Sequence, residues 1–125
     1  MEITINDQRK IFAVQKEFNE MFPFLKLGFY KKSSKVGEEP SAKRIKHISK
    51  TIAECSSIHS SEYITIKPQM TIGEVEQAFR NMYGLPVHVF KKCANAWYDI
   101  TEYAGWTLQN QNEEGKELSN AVQAI

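Results

Sequence analysis

Two stretches of this chain, 61 residues apart, place the same residue types at the same spacings, and no other feature narrows the fold as far. Ile3, Thr4 and Ile5 recur as Ile64, Thr65 and Ile66, and Ile11, Val14, Phe18 and Met21 recur as Ile72, Val75, Phe79 and Met82. Phe22 falls on Tyr83. Beyond that point the offset is 60, as though Pro23 were one additional turn residue, and Leu25, Leu27, Phe29 and Lys32 align with Leu85, Val87, Val89 and Lys92. Apolar-polar alternation marks a half-buried strand, and apolar residues three and four apart mark an amphipathic helix. Each stretch therefore reads as strand, helix, strand. Duplication of one unit and convergence on one amphipathic pattern both account for the match. Either origin leads to the same expectation: one sheet with both helices on one face.

The second unit carries the sharper local signals. Pro68 closes the strand at Ile64 to Ile66, because proline removes a backbone donor. Thr71 and Glu74 then form a T-x-x-E capping box, flanked by Met70 and Val75 at the spacing of a hydrophobic staple. The spacing predicts a helix over residues 71–83, ended by Gly84 as a left-handed C-terminal residue. Val87 and Val89 alternate with His88 and Phe90 in the strand that follows. In the first unit, Asn6 or Asp7 is positioned to cap a helix running to about Phe22.

Three further segments complete the chain. Residues 33–61 form a basic insertion, exposed from Ser33 to Pro40, with Ser41 placed to cap a short helix carrying Ile45, Ile48 and Ile52. Residues 96–101 read as an added aromatic-rich strand after a tight turn at Cys93-Ala94-Asn95. Thr107 is positioned to cap a turn or helix from Leu108, but Gln109 to Gly115 is polar and poor material for a core. The tail at about 109–125 is expected to be weakly ordered.

A chain of 125 residues suits a single domain, able to bury about two thirds of the surface of its extended form. Its apolar share of 42% and charged share of 25% are those of ordinary globular proteins, which excludes wholesale disorder and fibrous repeats. Cys55 and Cys93 lack CxxC spacing, so neither a zinc ribbon nor a disulfide framework is signalled. The start Met-Glu-Ile-Thr-Ile lacks the basic residues and apolar core of an export signal. No window offers the apolar run of a membrane span. These features predict a cytoplasmic protein with no membrane partner and no cofactor.

Two features bear on function. Residues 31–50 carry seven lysines and arginines against two glutamates, a local charge of +5 in a chain whose total is +1. Lys31, Lys32, Lys43, Arg44 and Lys46 are the candidate phosphate contacts within it. The sheet face opposite the helices is expected to show Tyr63, Thr65, Lys26, Tyr30, His88, Phe90 and Lys92. Aromatics interleaved with lysines suit stacking on single-stranded nucleic acid, but they also suit cover by another segment or a second copy of the chain. The basic-Gly-aromatic RNP1 pattern of RRM domains has no counterpart. Catalytic signals are equally thin: His47, His59 and His88 are scattered, Cys55 and His59 make only two ligands, and no phosphate-cradling loop, G-x-S-x-G or H-E-x-x-H occurs.

The string Thr71-Ile72-x-Glu74-Val75-Glu76, then Tyr83-Gly84-Leu85-x-Val87-x-Val89-Phe90-Lys91-Lys92, then Trp97 and Trp106-Thr107-Leu108 resembles a group of short uncharacterised bacterial proteins of Bacteroidetes type. The resemblance spans roughly residues 62–118. It implies a bacterial cytoplasmic origin and a compact α+β domain, and it carries over no catalytic residue. The expected fold is a two-layer α+β sandwich, ferredoxin-like βαβ-βαβ with an extra C-terminal strand. A β-grasp arrangement built on the second half is the alternative. The expected function is a non-catalytic protein-interaction module, self-associating through an exposed sheet face or edge, with Tyr30, Tyr63, His88 and Phe90 as the interaction surface. The alternative is a nucleic-acid-binding protein using the basic 31–50 segment and the sheet aromatics.

Overall fold

The structure is a computed structural model that describes residues 1–31 and 44–123. The elements follow as β1 (Ile3–Ile5), α1 (Ile11–Met21), β2 (Leu25–Phe29), α2 (Ile52–Cys55), β3 (Ile64–Ile66), α3 (Ile72–Tyr83), β4 (Val87–Cys93), β5 (Ala96–Asp99), a 3-10 turn at Thr101–Tyr103 and α4 (Leu108–Gln123). The mixed α+β class is as expected, and so is the added strand at β5. The capping box of α3 forms as the sequence indicates: the Glu74 N–H donates to Thr71 Oγ1 at 3.1 Å, and the Thr71 N–H donates to Glu74 Oε1 at 3.0 Å. Gly84 closes the helix at φ 61°. Helix α1 differs, because Lys10 rather than Asn6 or Asp7 occupies its N-cap and makes no side-chain cap bond.

Strand pairing departs from the single expected sheet. Among the described residues β1 pairs only with β3, and β2, β4 and β5 make a second sheet in that order, all antiparallel. A ferredoxin-like sandwich keeps its four strands in one sheet, so the observed pairing is a different arrangement of the same two units. The two helices do share one layer as expected, both on the core face of the second sheet, α1 mainly on β2 and α3 mainly on β4, with Phe79 of α3 edge-on to Phe29 of β2. Alternation tells which face of a strand is buried and is silent about its neighbour. What decides the neighbour is a pseudo-two-fold relation between the units. In the first sheet Ile3 faces Ile66, Thr4 faces Thr65 and Ile5 faces Ile64. Under the offset of 61 this is a reciprocal, self-complementary register, as at an isologous interface. In the second sheet Leu27 faces Val89, Gly28 faces His88 and Phe29 faces Val87, reciprocal under the offset of 60.

The same relation extends beyond the strands. The Ile11 N–H donates to Lys50 O at 3.0 Å, and its counterpart Ile72 donates to Trp106 O at 2.9 Å. Phe12 donates to Ile48 O and Gly73 to Ala104 O, both at 3.0 Å. Ile52 donates to Arg9 O and Leu108 to Met70 O, both at 2.9 Å. Ile45 donates to Phe29 O at 2.8 Å, and Ile100 to Val89 O at 3.0 Å. Each unit is thus β-α-β-α, with α2 and α4 as equivalent closing helices, and Ile45 and Ile52 match the buried Ile100 and Leu108.

This relation also corrects the reading of the insertion and the tail. Ser41 lies outside the described residues. Ile45 and Ile52 are buried, but no single helix carries them; α2 is one turn, opened by a second capping box of Thr51 and Glu54. The tail expected to be weakly ordered from 109 is helix α4, held by polar residues rather than an apolar stripe. Gln111 and Ser119 are buried, and the equally buried Lys91 of β4 reaches Gln111 Oε1 at 3.0 Å and Glu114 Oε1 at 2.7 Å. Asn112 accepts from the Phe24 N–H at 2.8 Å, and Ser119 accepts from the Ala94 N–H at 3.1 Å. Gly115 lets the helix lie directly on the sheet, since a Cβ there would sit 2.9 Å from Phe24 Cβ and 3.0 Å from Lys92 O. One core cluster, from Ile3 to Leu108, fills the space between the layers.

In an exposed helix, Gly to Ala stabilises by roughly 1 kcal/mol. At Gly115 the contact with Phe24 and the β4 backbone reverses the sign, and Gly115→Ala is expected to destabilise by about 1–3 kcal/mol. Urea denaturation measures this, and a stabilised variant would show that α4 does not lie on the sheet.

Candidate functional site

The outer face of the β2–β4–β5 sheet gathers the chemistry that the core excludes. On β2, Leu25, Leu27 and Phe29 are buried in the core, so Lys26, Gly28 and Tyr30 belong to the opposite side. On β4, Val87 and Val89 are buried in the same way, which leaves His88, Phe90 and Lys92 outward. Cross-strand pairing of Lys92 with Trp97 and of Phe90 with Asp99 brings those two β5 residues onto the same side. Gly28 makes room: a Cβ there would meet Phe90 Cε2 at 2.7 Å.

The rings on this face lie under cations. Lys26 Nζ is 4.5 Å from the Trp97 ring centroid and 5.9 Å from that of Phe90, and the Arg44 guanidinium is 5.7 Å from Phe90. Contacts of this kind are each worth about 0.5–2 kcal/mol, depending on desolvation. Partial burial, aided by the neighbouring Arg44 charge, lowers the Lys26 pKa. Tyr30 is 8% exposed, and its ring centroid is 4.8 Å from that of His88. Burial raises the Tyr30 phenol, and the nearby Arg44 charge opposes the rise.

A hydrogen-bonded carboxylate network fixes one end of the face. His88 Nδ1 lies 2.7 Å from Asp99 Oδ2, and the Thr101 hydroxyl is 2.7 Å from Asp99 Oδ1 and 3.0 Å from Glu76 Oε2. The Val89 N–H donates to the same Glu76 oxygen at 3.1 Å. Burial pushes the Glu76 carboxyl above its ordinary value, against the pull of the bonds from Val89 and Thr101. Burial alone would raise Asp99 too. Its bonds from Thr101 and His88 prevail and hold it below the ordinary value. The network orients the His88 ring and anchors β4 to the Asp99–Thr101 turn.

Beside this face, at the β2 edge, lies a cleft of about 440 Å³ lined by Lys31, Arg44, Ile45, Lys46, His47, Lys50, Glu54 and Cys55. The candidate residues sort accordingly. Tyr30, His88 and Phe90 come together on the outer face, whereas Tyr63 is 62% exposed beside the β1–β3 sheet, in an open groove with Met70 and Met82. Lys31, Arg44 and Lys46 converge on the basic cleft. Lys32 and Lys43 lie outside the described residues. Trp97, on the edge strand β5, is half-buried on the outer face beneath Lys26. His47 and Lys50 were missed as cleft residues; the signal was the Thr51-x-x-Glu54 capping box, which turns the chain just before α2.

The Glu76 and Asp99 shifts have opposite consequences for stability. Glu76 contributes stability that is complete below the ordinary carboxyl value of 4.5 and is lost as pH rises through its raised folded value; Asp99 contributes stability present above 3.8 and lost as pH falls through its depressed one. Glu76→Gln keeps an acceptor for the Val89 N–H and removes the buried charge. The parent's denaturant midpoint is expected to decline as pH rises above 4.5, and that of Glu76→Gln to lack this decline. An unchanged decline would assign that pH dependence to other groups. Glu76→Ala leaves the buried N–H without its acceptor and is expected to cost about 1–3 kcal/mol at all pH values.

No helix among the described residues is long and apolar enough to cross a membrane, and none of their His, Cys, Asp and Glu side chains form a group of three or more able to hold a metal ion. No protein-family model matches the sequence, and no curated protein and no solved structure matches it.

Proposed function

We propose that this chain is a non-catalytic interaction module whose docking surface is the outer face of the β2–β4–β5 sheet. The observation that carries this reading is the concentration of half-buried rings, Phe90 and Trp97, beneath Lys26 and Arg44 on one side of an open sheet. Amphipathic surfaces of aromatic and cationic side chains are the composition from which interface anchors are drawn.

Self-association belongs to this proposal, and the geometry favours an edge over the face. Among the described residues, two faces brought together would oppose Lys26, Arg44 and Lys92 in each copy against the single carboxylate of Asp99, and like charges held close repel. The β2 edge is occupied, because α1 caps its carbonyls: Gln15 Nε2 donates to Leu27 O at 3.0 Å and Asn19 Nδ2 to Leu25 O at 2.9 Å. Among the described residues that leaves β5 as the sheet edge with unpaired ladder positions, the usual template for adding a strand. A second copy added at β5 would extend the sheet and leave the outer face available to a different partner.

Light scattering on the full chain over a concentration series at two salt concentrations tests this. Association through β5 is expected to be insensitive to salt, since main-chain hydrogen bonds carry it. A dimer appearing only at high salt would indicate face-to-face contact. A strict monomer at the highest concentration under both conditions would remove self-association from the proposal.

A further inference from the structure

We propose that the basic cleft and the ring-bearing face form one continuous site for single-stranded nucleic acid, with phosphates held by Lys31, Arg44, Lys46 and Lys50 and bases stacked on Trp97 and Phe90. This rests on the outer face being the docking surface, and it names the partner.

The continuity is structural. A second groove of about 360 Å³ is lined by Gln15, Lys16, Asn19, Lys26, Leu27, Arg44 and Trp97, so Arg44 is a wall of both depressions. The antiparallel bridge between Arg44 and Tyr30 pins it at the β2 edge, and its guanidinium reaches over Phe90. A bound strand thus passes from three lysines and His47, past the shared Arg44, to a tryptophan flanked by two side-chain amides. The Gln15 and Asn19 Nδ/Nε groups are committed to β2 carbonyls, which leaves their carbonyl oxygens as acceptors for base edges.

Charge and shape together select the ligand class. Cations converging on a concave wall focus a positive potential that draws a polyanion. Among the described residues the one acid lining the cleft, Glu54, is committed to the capping box with the Thr51 N–H at 3.0 Å. An acidic peptide would satisfy the cleft, but a run of carboxylates offers nothing to stack on the rings. Bases have a π-face, and stacking on aromatic side chains beside a basic track is how proteins hold single strands without reading sequence. A duplex keeps its bases stacked inside and offers nothing to Trp97.

Fluorescence anisotropy of a short labelled oligothymidine and its oligouridine counterpart, titrated with the full chain at low and physiological salt, tests the proposal. Binding at low salt that weakens as salt rises is expected, and the two oligonucleotides distinguish DNA from RNA as the preferred strand. Lys46 and Lys50 are exposed, so Lys46→Ala and Lys50→Ala leave the fold intact, and each is expected to lower the salt slope by about 0.7. Trp97→Ala is expected to weaken binding by about tenfold with the slope unchanged. In a Trp106→Phe background Trp97 is the sole tryptophan, and its fluorescence is expected to be quenched on binding, a readout that leaves the face unaltered. No association at low salt, an unquenched Trp97, or displacement of the strand by polyglutamate at equal charge would overturn the proposal. Failure here together with a salt-insensitive dimer in light scattering would remove the nucleic acid and leave the interaction module standing.

Discussion

The antiparallel pairing of β1 with β3 and of β2 with β4 sets the terms for the whole molecule, because neither unit keeps its two strands together. Each unit sends its two matching strands to different sheets, so its apolar residues reach the core only when the other unit is in place. The reciprocal register of Thr4 with Thr65 and of Gly28 with His88 makes the two halves behave like subunits of an isologous dimer that share a covalent link. Equivalent N–H groups at Ile11 and Ile72, and at Ile52 and Leu108, find equivalent carbonyls, which satisfies the helix starts without side-chain help at Lys10. Much of the fold is thus one solution used twice.

The differences between the halves are where the chemistry sits. The first unit closes with a single-turn helix and surrounds it with Lys31, Arg44, Lys46 and Lys50. The second inserts β5 and closes with a sixteen-residue helix bound through Lys91, Gln111 and Glu114. Because β5 brings Trp97 and Asp99 beside β4, and Arg44 arrives from the opposite edge, the outer face receives a cation or a ring from every strand. A symmetric molecule would have neither the basic cleft nor the Trp97 groove.

Local structure was legible where a single residue type forces a conformation or a period. The capping box at Thr71 and Glu74, the left-handed Gly84, the three-and-four spacing of α1 and α3, and the alternation in β2 and β4 all left direct marks. The core face of Leu25, Leu27, Val87 and Val89 followed from them, and so did the grouping of Tyr30, His88 and Phe90. Strand partnership was not legible, because the same alternation serves one sheet or two. Helix α4 was hidden because Gln111, Ser119 and Gly115 make its contacts by hydrogen bonding and close approach, to which hydrophobic periodicity is blind. Tyr63 was misplaced with the face residues because β3 was assigned to the wrong sheet. The convergence of Lys31, Lys46 and Lys50 on one cleft depends on the turn before α2, which composition alone does not reveal.

The split of each unit between two sheets also orders events in time. When the first fifty-five residues have left the ribosome, β1 and β2 still lack the strands they pair with, and the earliest native ladder must wait for Ile64–Ile66. Until then a nascent chain carries two apolar strands with open edges, the kind of species prone to non-native association. Synthesis through β4, rather than any step within the first unit, is the point at which β1 and β2 both have the strands they pair with.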